Sequence, residues 1–151
     1  MKDKIKKKSS EFIARGACVR DGKILLCRNI KHGNVYLPGG HVEFGEAADK
    51  ALEREMIEET GLASRATRFL AAIQNRFEQR GTDVFELSLL FELELEPDVE
   101  TDVSPRSMEG HIEFFWHPLS EVAESGLLPE SIIPYLEGWL LGTERVFFIP
   151  C

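Results

Sequence analysis

A predicted helix whose core-facing stripe ends in carboxylates constrains this chain more than any other feature of its sequence. Residues 46–60 contain mainly Ala, Leu, Glu, Lys, Arg and Met, with no Pro or Gly, and Gly61 follows as a residue suited to a left-handed helix cap. Small and apolar residues take the spacing of a face that packs on a sheet: Ala48, Ala51 and Leu52. The same stripe then carries three carboxylates: Glu55, Glu58 and Glu59.

This glutamate stripe predicts a metal site. Close like charges repel, and a buried carboxylate without a partner is costly or takes up a proton. Arg54, the nearest cation in sequence, points about 100° away from Glu55 around the helix, so it cannot neutralise the whole group. Mg²⁺ or Mn²⁺, hard cations that prefer oxygen ligands, would neutralise it. The alternative is a solvated acidic helix face, and continuity with the core stripe favours the metal.

The glycines before the helix support that interpretation. Pro38, Gly39 and Gly40 lead into the helix, and glycine backbone can approach a metal or a phosphate without obstruction from a Cβ atom. A double glycine alone indicates only a turn. Together with the helix N-terminus and the glutamates, it predicts a site for a metal-bound polyphosphate.

The rest of the chain predicts a sheet layered with helices. The clearest strand follows Gly81, because apolar and mostly acidic residues alternate from Phe85 to Glu96, which predicts one face in the core and most of the other in water. Residues 12–19 and 23–28 read as strands joined at Asp21-Gly22, a hairpin signal. Further segments are predicted as strands at 68–77, 113–116 and 145–149, as helical turns at 118–124, and as a helix at 130–141.

Composition limits the classes of protein that fit. The chain has 151 residues with 43% hydrophobic and 29% charged, which suits one globular domain. We expect a flexible basic tail at residues 1–10 and a single domain at 11–151. The net charge is −8, and five lysines and one aspartate in the first eight residues leave −12 on the remainder, which argues against nucleic-acid polymers. With no signal peptide and no apolar run long enough to span a bilayer, we expect a cytoplasmic protein without a membrane partner.

The motif residues resemble the complete box of the Nudix hydrolases. Gly40 is followed after five residues by Glu46, then after seven by Arg54-Glu55, and the match continues without departure to Leu62. The resemblance implies an α/β/α sandwich around a mixed sheet with a loop-helix-loop catalytic motif. It also implies Mg²⁺- or Mn²⁺-dependent hydrolysis of a nucleoside diphosphate linked to another moiety.

The resemblance assigns roles residue by residue. Metal ligands are expected at Glu55, Glu58 and Glu59, helped by the carbonyl of Gly39, while Arg54, Glu46 and Gly61 support the loop and helix. Many members add an acidic residue from a later loop. We expect that residue to be Glu109, with Glu113 as second choice, and either Glu55 or Glu109 as general base.

Substrate contacts are less defined by sequence. Gly40 and four basic residues are candidates to face the phosphates: Arg28, Lys31, Arg76 and Arg80. The expected substrate is a small nucleotide derivative: a nucleotide sugar, an ADP-ribose-like compound or a nucleoside triphosphate. Two alternatives remain open, a nucleotide-sensing domain without catalysis and an isopentenyl diphosphate isomerase, which needs a nucleophilic cysteine. A homodimer is compatible with the resemblance, but no residue is assigned to it.

Overall fold

The structure is a computed structural model that describes residues 7–151. Its strands, in chain order, are β1 Lys7–Ala17, β2 Val19–Arg20, β3 Lys23–Asn29, β4 Val35–Tyr36, β5 Gly39–His41, β6 Ser64–Gln79, β7 Thr82–Leu95, β8 Ile112–Pro118 and β9 Phe148–Ile149. Its α-helices are α1 Ala48–Thr60 and α2 Ile133–Leu141, and shorter 3-10 turns cover Leu119–Glu124 and Glu130–Ile132.

The strands form two sheets. The first has the order β5-β1-β7-β6-β9 and is mixed, because β1 runs parallel to β7 and β9 parallel to β6, while the other pairs are antiparallel. The second contains β2, β3 and β4, with β8 paired to β3. One hydrophobic cluster packs the strands against α1 and another packs them against α2. The structure therefore confirms the predicted α/β/α arrangement around a mixed sheet.

Helix α1 ends where the sequence predicts and begins slightly later. Gly61 adopts a positive φ of 71° and its N–H donates a 2.8 Å hydrogen bond to the carbonyl of Ile57, which closes the helix. The helix begins at Ala48 because the preceding residues form a loop, in which Glu46 accepts a 3.0 Å hydrogen bond from the backbone N–H of Glu43. The glutamate stripe therefore keeps its predicted helical spacing.

The predicted burial of β7 is wrong over part of the strand. Leu90 is fully buried although it lies on the face predicted to be mostly in water, and Phe85 is 37% exposed although it lies on the face predicted to be in the core. The reason is that both faces of the sheet are covered near its centre: Leu90 packs in the cluster of Trp139 in α2, and Leu93 packs in the cluster of Leu52 in α1. Successive side chains of β7 do alternate between the two faces of the sheet. Near the centre of the sheet, however, the two faces pack in two different hydrophobic clusters, and neither faces solvent.

The first strand also departs from the prediction. Lys7–Ser10, assigned to a flexible tail, lie in β1 and pair with β7, so the tail prediction is wrong for these residues. Residues 1–6 lie outside the described part of the chain. The predicted strand 12–19 divides at Cys18, because β1 belongs to the first sheet and β2 to the second. Among residues 7–151, no helix combines the length and the apolar character needed to cross a membrane.

Candidate active site

The carboxylates of α1 differ sharply in exposure. The side chain of Glu58 is 53% exposed, that of Glu55 is 16% exposed, and Glu59 as a residue is only 9% exposed. The Oε2 atom of Glu59 is buried and has no hydrogen-bond partner among the described residues. An unpaired buried carboxylate oxygen is costly, so its retention needs a functional reason.

Arg54 links the helix to the preceding loop. Its Nε and Nη2 atoms donate to the two carboxylate oxygens of Glu46 at 2.8 and 3.0 Å, and Nη2 also donates to the carbonyl of His41. Its Nη1 atom donates to Glu55 at 3.1 Å and Glu58 at 3.2 Å. The predicted direction of Arg54, away from Glu55, is therefore wrong, because its long side chain curves back over the helix. It still has no hydrogen bond to Glu59.

The double glycine brings backbone against Glu55. Strand β5 pairs with β1, so that Gly40 lies opposite Ala14 and Gly39 opposite Arg15. A Cβ atom on Gly40 would lie 2.3 Å from the carboxyl carbon of Glu55. One on Gly39, whose φ is 144°, would lie 1.9 Å from the carbonyl oxygen of Ala14. Only glycine fits at both positions. The close approach that the structure shows is to Glu55 and Ala14, whereas the predicted approach to a metal or a phosphate stays a prediction.

The loop that carries Glu109 docks on α1. The backbone N–H of Met108 donates a 2.7 Å hydrogen bond to the carbonyl of Glu59. Next to it, the Ser107 hydroxyl donates to the carbonyl of Glu109 at 2.8 Å and accepts from its N–H at 3.1 Å. These bonds bring Glu109 beside the helix. Glu113, the second choice, instead forms a 2.8 Å ion pair with Arg28.

Electrostatics identifies Glu59 as the centre of this group. Its pKa is raised to about 8, first by burial and then by the negative charges of Glu55 and Glu109, while the charge of Arg15 acts in the opposite direction. A bound cation would remove the cost of ionising it. The charges acting on Glu59 therefore come from α1, from the Met108 loop and from β1.

Two observations show that the residues fit a hard divalent cation: the Oε2 atom of Glu59 is buried without a hydrogen-bond partner among the described residues, and the potential ligands around it are oxygen atoms. Arg54 forms hydrogen bonds with carboxylate oxygens of Glu55 and Glu58. Within residues 7–151, no three His, Cys, Asp or Glu side chains lie close enough together to hold a metal ion in this arrangement. The site is thus held together by Arg54, and the acidic side chains that could bind metal lie around it.

Sequence reasoning missed Arg15, which β1 places beside this group. Its Nη1 donates a 3.1 Å hydrogen bond to the carbonyl of Leu37, and its guanidinium carbon lies 5.0 Å from the ring centroid of Tyr36. The signal was a single arginine inside the apolar strand 12–19. A cation inside a strand that is otherwise apolar needs nearby charge or polar partners, and Glu59 supplies the charge.

The predicted phosphate-binding residues have other partners. Arg28 pairs with Glu113 and lies 4.4 Å over the ring of Phe115. Arg76 forms two hydrogen bonds with Asp83, at 2.9 and 2.6 Å. Arg80 lies in the turn between β6 and β7.

The structure does not bring Arg80 to the carboxylates. The hairpin end pairs with Lys7, whereas Gly40 pairs with Ala14 of the same strand. That separation corresponds to about 20 Å of strand. Arg80 follows the motif in the sequence, but in the fold it lies far from the carboxylates of the motif.

Comparison with known proteins identifies the family. The sequence profile of the NUDIX domain matches residues 11–136. An RNA pyrophosphohydrolase of Aeromonas hydrophila subsp. hydrophila is 27% identical over 123 residues, which cover 70% of this chain and 70% of that protein. Other RNA pyrophosphohydrolases match over 58 residues, so there the chain spans 33% of their length.

Solved structures agree. A MutT NUDIX hydrolase from Burkholderia pseudomallei has a TM-score of 0.57 and 26% identity, covering 74% of this chain and 84% of its own. A MutT protein from Methanosarcina mazei Go1 shares the fold with a TM-score of 0.66 at 22% identity, covering 91% and 98% of the two chains. The chain therefore belongs to the NUDIX family and is an enzyme of the pyrophosphohydrolase class.

Proposed function

We propose that the protein hydrolyses, with Mg²⁺ or Mn²⁺, the pyrophosphate bond of a nucleoside diphosphate linked to another moiety. The observation that carries this proposal is Glu59, whose buried Oε2 has no hydrogen-bond partner among the described residues and whose pKa is raised by burial and by neighbouring carboxylates. A carboxylate kept in this state is stabilised once a cation is bound. The double glycine supports the same proposal because the missing Cβ of Gly40 lets the Glu55 carboxylate lie against the backbone of β5, next to the carbonyl proposed as a ligand.

In this proposal the metal is held by oxygen ligands. These are the carboxylates of Glu55, Glu58, Glu59 and Glu109 and the backbone carbonyl of Gly39. When bound, the metal neutralises phosphate oxygens and lowers the pKa of water toward neutrality. The number of ions is left open by the proposal.

The chain itself supplies positioning and proton transfer. Arg54 holds Glu55 and Glu58 at fixed separations and connects them through Glu46 to the backbone at His41. A carboxylate that is not fully used as a ligand, Glu55 or Glu109, takes the proton of the attacking water. Attack on phosphorus then breaks the bridge and releases a nucleoside monophosphate and a second phosphorylated or phosphate product.

The proposed substrate is a small nucleotide: a nucleotide sugar, an ADP-ribose-like compound or a nucleoside triphosphate. The charge of −8 disfavours a nucleic-acid polymer, whose phosphates are bound by clustered cations. We propose that Arg28 and Arg76 approach the substrate's phosphates. In the structure Arg28 forms an ion pair with Glu113 and Arg76 forms one with Asp83, so phosphate binding requires these arginines to exchange or share their partners. An RNA 5′ end is the second candidate, because the Aeromonas relative is named an RNA pyrophosphohydrolase.

The isomerase alternative lacks its nucleophile. Cys18 and Cys27 are buried, and burial raises the pKa of their thiols to about 11 and about 12. Cys151 is exposed and follows β9, which lies at the edge of the first sheet opposite β5 and its double glycine. A nucleotide sensor, in turn, needs no acidic group arranged around a buried Glu59.

A substrate screen tests the proposal. The full chain is incubated with ADP-ribose, nucleotide sugars, oxidised nucleoside triphosphates, dinucleoside polyphosphates and a 5′-triphosphorylated RNA, with Mg²⁺, with Mn²⁺ and with a chelator. Product masses identify the bond that breaks. We expect a nucleoside monophosphate from at least one small nucleotide, with turnover abolished by the chelator.

Two results would contradict the proposal in different ways. Turnover of RNA alone would retain the chemistry and reject the small-nucleotide substrate. Thermal stabilisation by a nucleotide, with no product under any metal condition, would favour a sensor. Glu94→Gln serves as control throughout, because Glu94 is exposed and forms an ion pair with Arg65 on the sheet surface, so its substitution leaves turnover unchanged.

A further inference from the structure

Strand β1 carries a cation, Arg15, in the middle of its apolar stretch. The residues on both sides of it are buried: Ile13, Ala14, Gly16 and Ala17. Arg15 itself is partly buried. Taking a guanidinium out of water costs free energy unless the protein or a ligand supplies compensating partners. The contacts of Arg15 therefore decide whether its charge is already compensated within the chain.

These contacts leave most donors of Arg15 unused. Its Nη1 atom donates a 3.1 Å hydrogen bond to the carbonyl of Leu37, and its guanidinium carbon lies 5.0 Å from the ring centroid of Tyr36. Neither partner carries a negative charge, and within residues 7–151 Arg15 forms no ion pair and no second hydrogen bond. Because a guanidinium has several N–H donors in one plane, the others remain available to a ligand.

Strand pairing places Arg15 beside the double glycine. Arg15 lies opposite Gly39 in the β1–β5 pair, and the N–H of the next residue, Gly16, donates a 2.8 Å hydrogen bond to the carbonyl of Pro38. The glycine that follows Gly39 is the one in close contact with Glu55. The cation of β1 and the carboxylates of α1 therefore flank the same short strand.

Arg15 and Glu59 are close to each other but not paired. The positive charge of Arg15 lowers the pKa of Glu59, against the larger effect of burial, so the two groups interact electrostatically. Yet the buried Oε2 of Glu59 has no hydrogen-bond partner among the described residues, and no ion pair in residues 7–151 joins the two side chains. A ligand that carries both a metal cation and a phosphate anion would supply a partner to each of them.

We propose that Arg15 binds a phosphate oxygen of the substrate's diphosphate while the carboxylates of α1 hold its metal. This role rests on the proposed function and adds a substrate-binding residue to it. A guanidinium can donate two parallel N–H bonds to a phosphate, and such charge-assisted bonds are about twice as strong as neutral ones. Arg28 and Arg76 must exchange or share a carboxylate partner to do the same, whereas Arg15 has none to give up.

A purely structural role for Arg15 predicts a different behaviour. If Arg15 only fastens Leu37 and the loop before Gly39, its loss displaces the Gly39 carbonyl, and the affinities for metal and for diphosphate fall together. If Arg15 binds phosphate, the diphosphate loses a partner, whereas the metal loses a nearby positive charge that repels it. The two roles therefore differ in what Arg15→Gln does to metal affinity.

Isothermal titration calorimetry of the full chain makes this comparison. The probes are Mn²⁺ alone and, in saturating Mn²⁺, methylenediphosphonate, a diphosphate analogue whose P–C–P bridge cannot be hydrolysed. For Arg15→Gln we expect the dissociation constant of methylenediphosphonate to rise about 10- to 100-fold, the effect of losing charge-assisted hydrogen bonds, while Mn²⁺ binds at least as tightly as in wild type. Arg15→Lys keeps the charge without the planar fork, so its dissociation constant for methylenediphosphonate lies between those of wild type and Arg15→Gln.

Arg65→Gln is the matched control. It removes the same charge, but the Arg65 side chain is 72% exposed and pairs with Glu94 on the sheet surface, so this variant keeps both wild-type affinities. Circular dichroism and thermal melting establish that each variant is folded. Parallel losses of Mn²⁺ and methylenediphosphonate affinity in Arg15→Gln would overturn the proposal, as would wild-type affinity for methylenediphosphonate in that variant or no binding of it by the wild type.

Neither titration needs turnover, so the role of Arg15 and the proposed function fail separately. A wild type that binds methylenediphosphonate through Arg15 but cleaves nothing in the substrate screen would retain the role of Arg15 and reject hydrolysis. Turnover in the screen, together with unchanged methylenediphosphonate affinity in Arg15→Gln, would retain hydrolysis and reject the role of Arg15.

Discussion

The backbone N–H of Met108 donates a 2.7 Å hydrogen bond to the carbonyl of Glu59. This bond joins two segments separated by 49 positions and fixes the loop of Glu109 against the helix that carries the other carboxylates. It uses only main-chain atoms, so it does not depend on the side chain at position 108. The acidic group is therefore assembled by backbone geometry as well as by helical spacing.

Removing that hydrogen bond will lower activity without unfolding the protein. Met108→Pro has no N–H to donate, so Glu109 loses its fixed position, and we expect turnover to fall about 10- to 100-fold. The stability cost of one such bond is about 1 kcal/mol. Met108→Ala keeps the N–H and is the control. Equal turnover in the two variants, measured by steady-state kinetics, would show that Glu109 does not act at the site.

Gly40→Ala will displace Glu55. The new Cβ would lie 2.3 Å from the Glu55 carboxyl carbon, so the carboxylate must move, and we expect kcat to fall at least about 100-fold. Gly110→Ala is the matched control, because a Cβ there meets nothing within 4 Å. The comparison uses kcat of both variants on one substrate. Wild-type kcat in Gly40→Ala would mean that the position of Glu55 is irrelevant to turnover.

Divalent metal will stabilise the folded protein through Glu59. At a concentration of about 100 times its dissociation constant, Mg²⁺ adds about 2.7 kcal/mol, which raises the melting temperature by about 5–10 °C. Glu59→Gln removes a buried carboxylate whose Oε2 has no described hydrogen-bond partner, so the metal-free variant melts above the metal-free wild type and gains less from Mg²⁺. Differential scanning calorimetry with and without chelator measures both effects. An identical Mg²⁺ shift in both proteins would contradict the metal assignment of Glu59.

Thiol reactivity will separate the cysteines. Burial raises the pKa of Cys18 to about 11 and that of Cys27 to about 12, so both remain protonated and shielded near neutral pH, whereas Cys151 is exposed. Ellman's reagent at about pH 8 will modify one thiol rapidly and all three only in denaturant. Cys151→Ser should abolish the rapid phase. A rapid phase that persists in this variant would reveal a reactive buried cysteine and reopen the isomerase alternative.

Local sequence rules predicted the elements that depend on local chemistry. Helix α1 and its Gly61 cap follow from composition and from the conformational freedom of glycine, and the carboxylate stripe follows from helical periodicity. The double glycine indicated a close backbone approach, but the sequence did not reveal that its neighbours would be Glu55 and Ala14. These features need no knowledge of which strands become neighbours.

The features that sequence reasoning missed depend on long-range packing. Leu90 is buried because α2 covers the second face of the sheet, which the alternation in β7 does not reveal. Arg15 belongs to the site because β1 pairs with β5, which carries the double glycine. Arg80 does not belong to it because the β6–β7 hairpin extends beyond the part of β1 that pairs with β5. Arg54 curves back to Glu55 because a long flexible side chain is not restricted to its helical direction.

The kcat of Glu59→Gln, measured with saturating Mg²⁺ on a substrate that the wild type cleaves, tests the central claim most directly. The substitution preserves shape and removes the charge that would hold the metal. We predict a loss of at least about 1000-fold, with the fold unchanged by circular dichroism and with Glu94→Gln fully active. A Glu59→Gln enzyme that retains most of the wild-type kcat would contradict the metal-dependent mechanism.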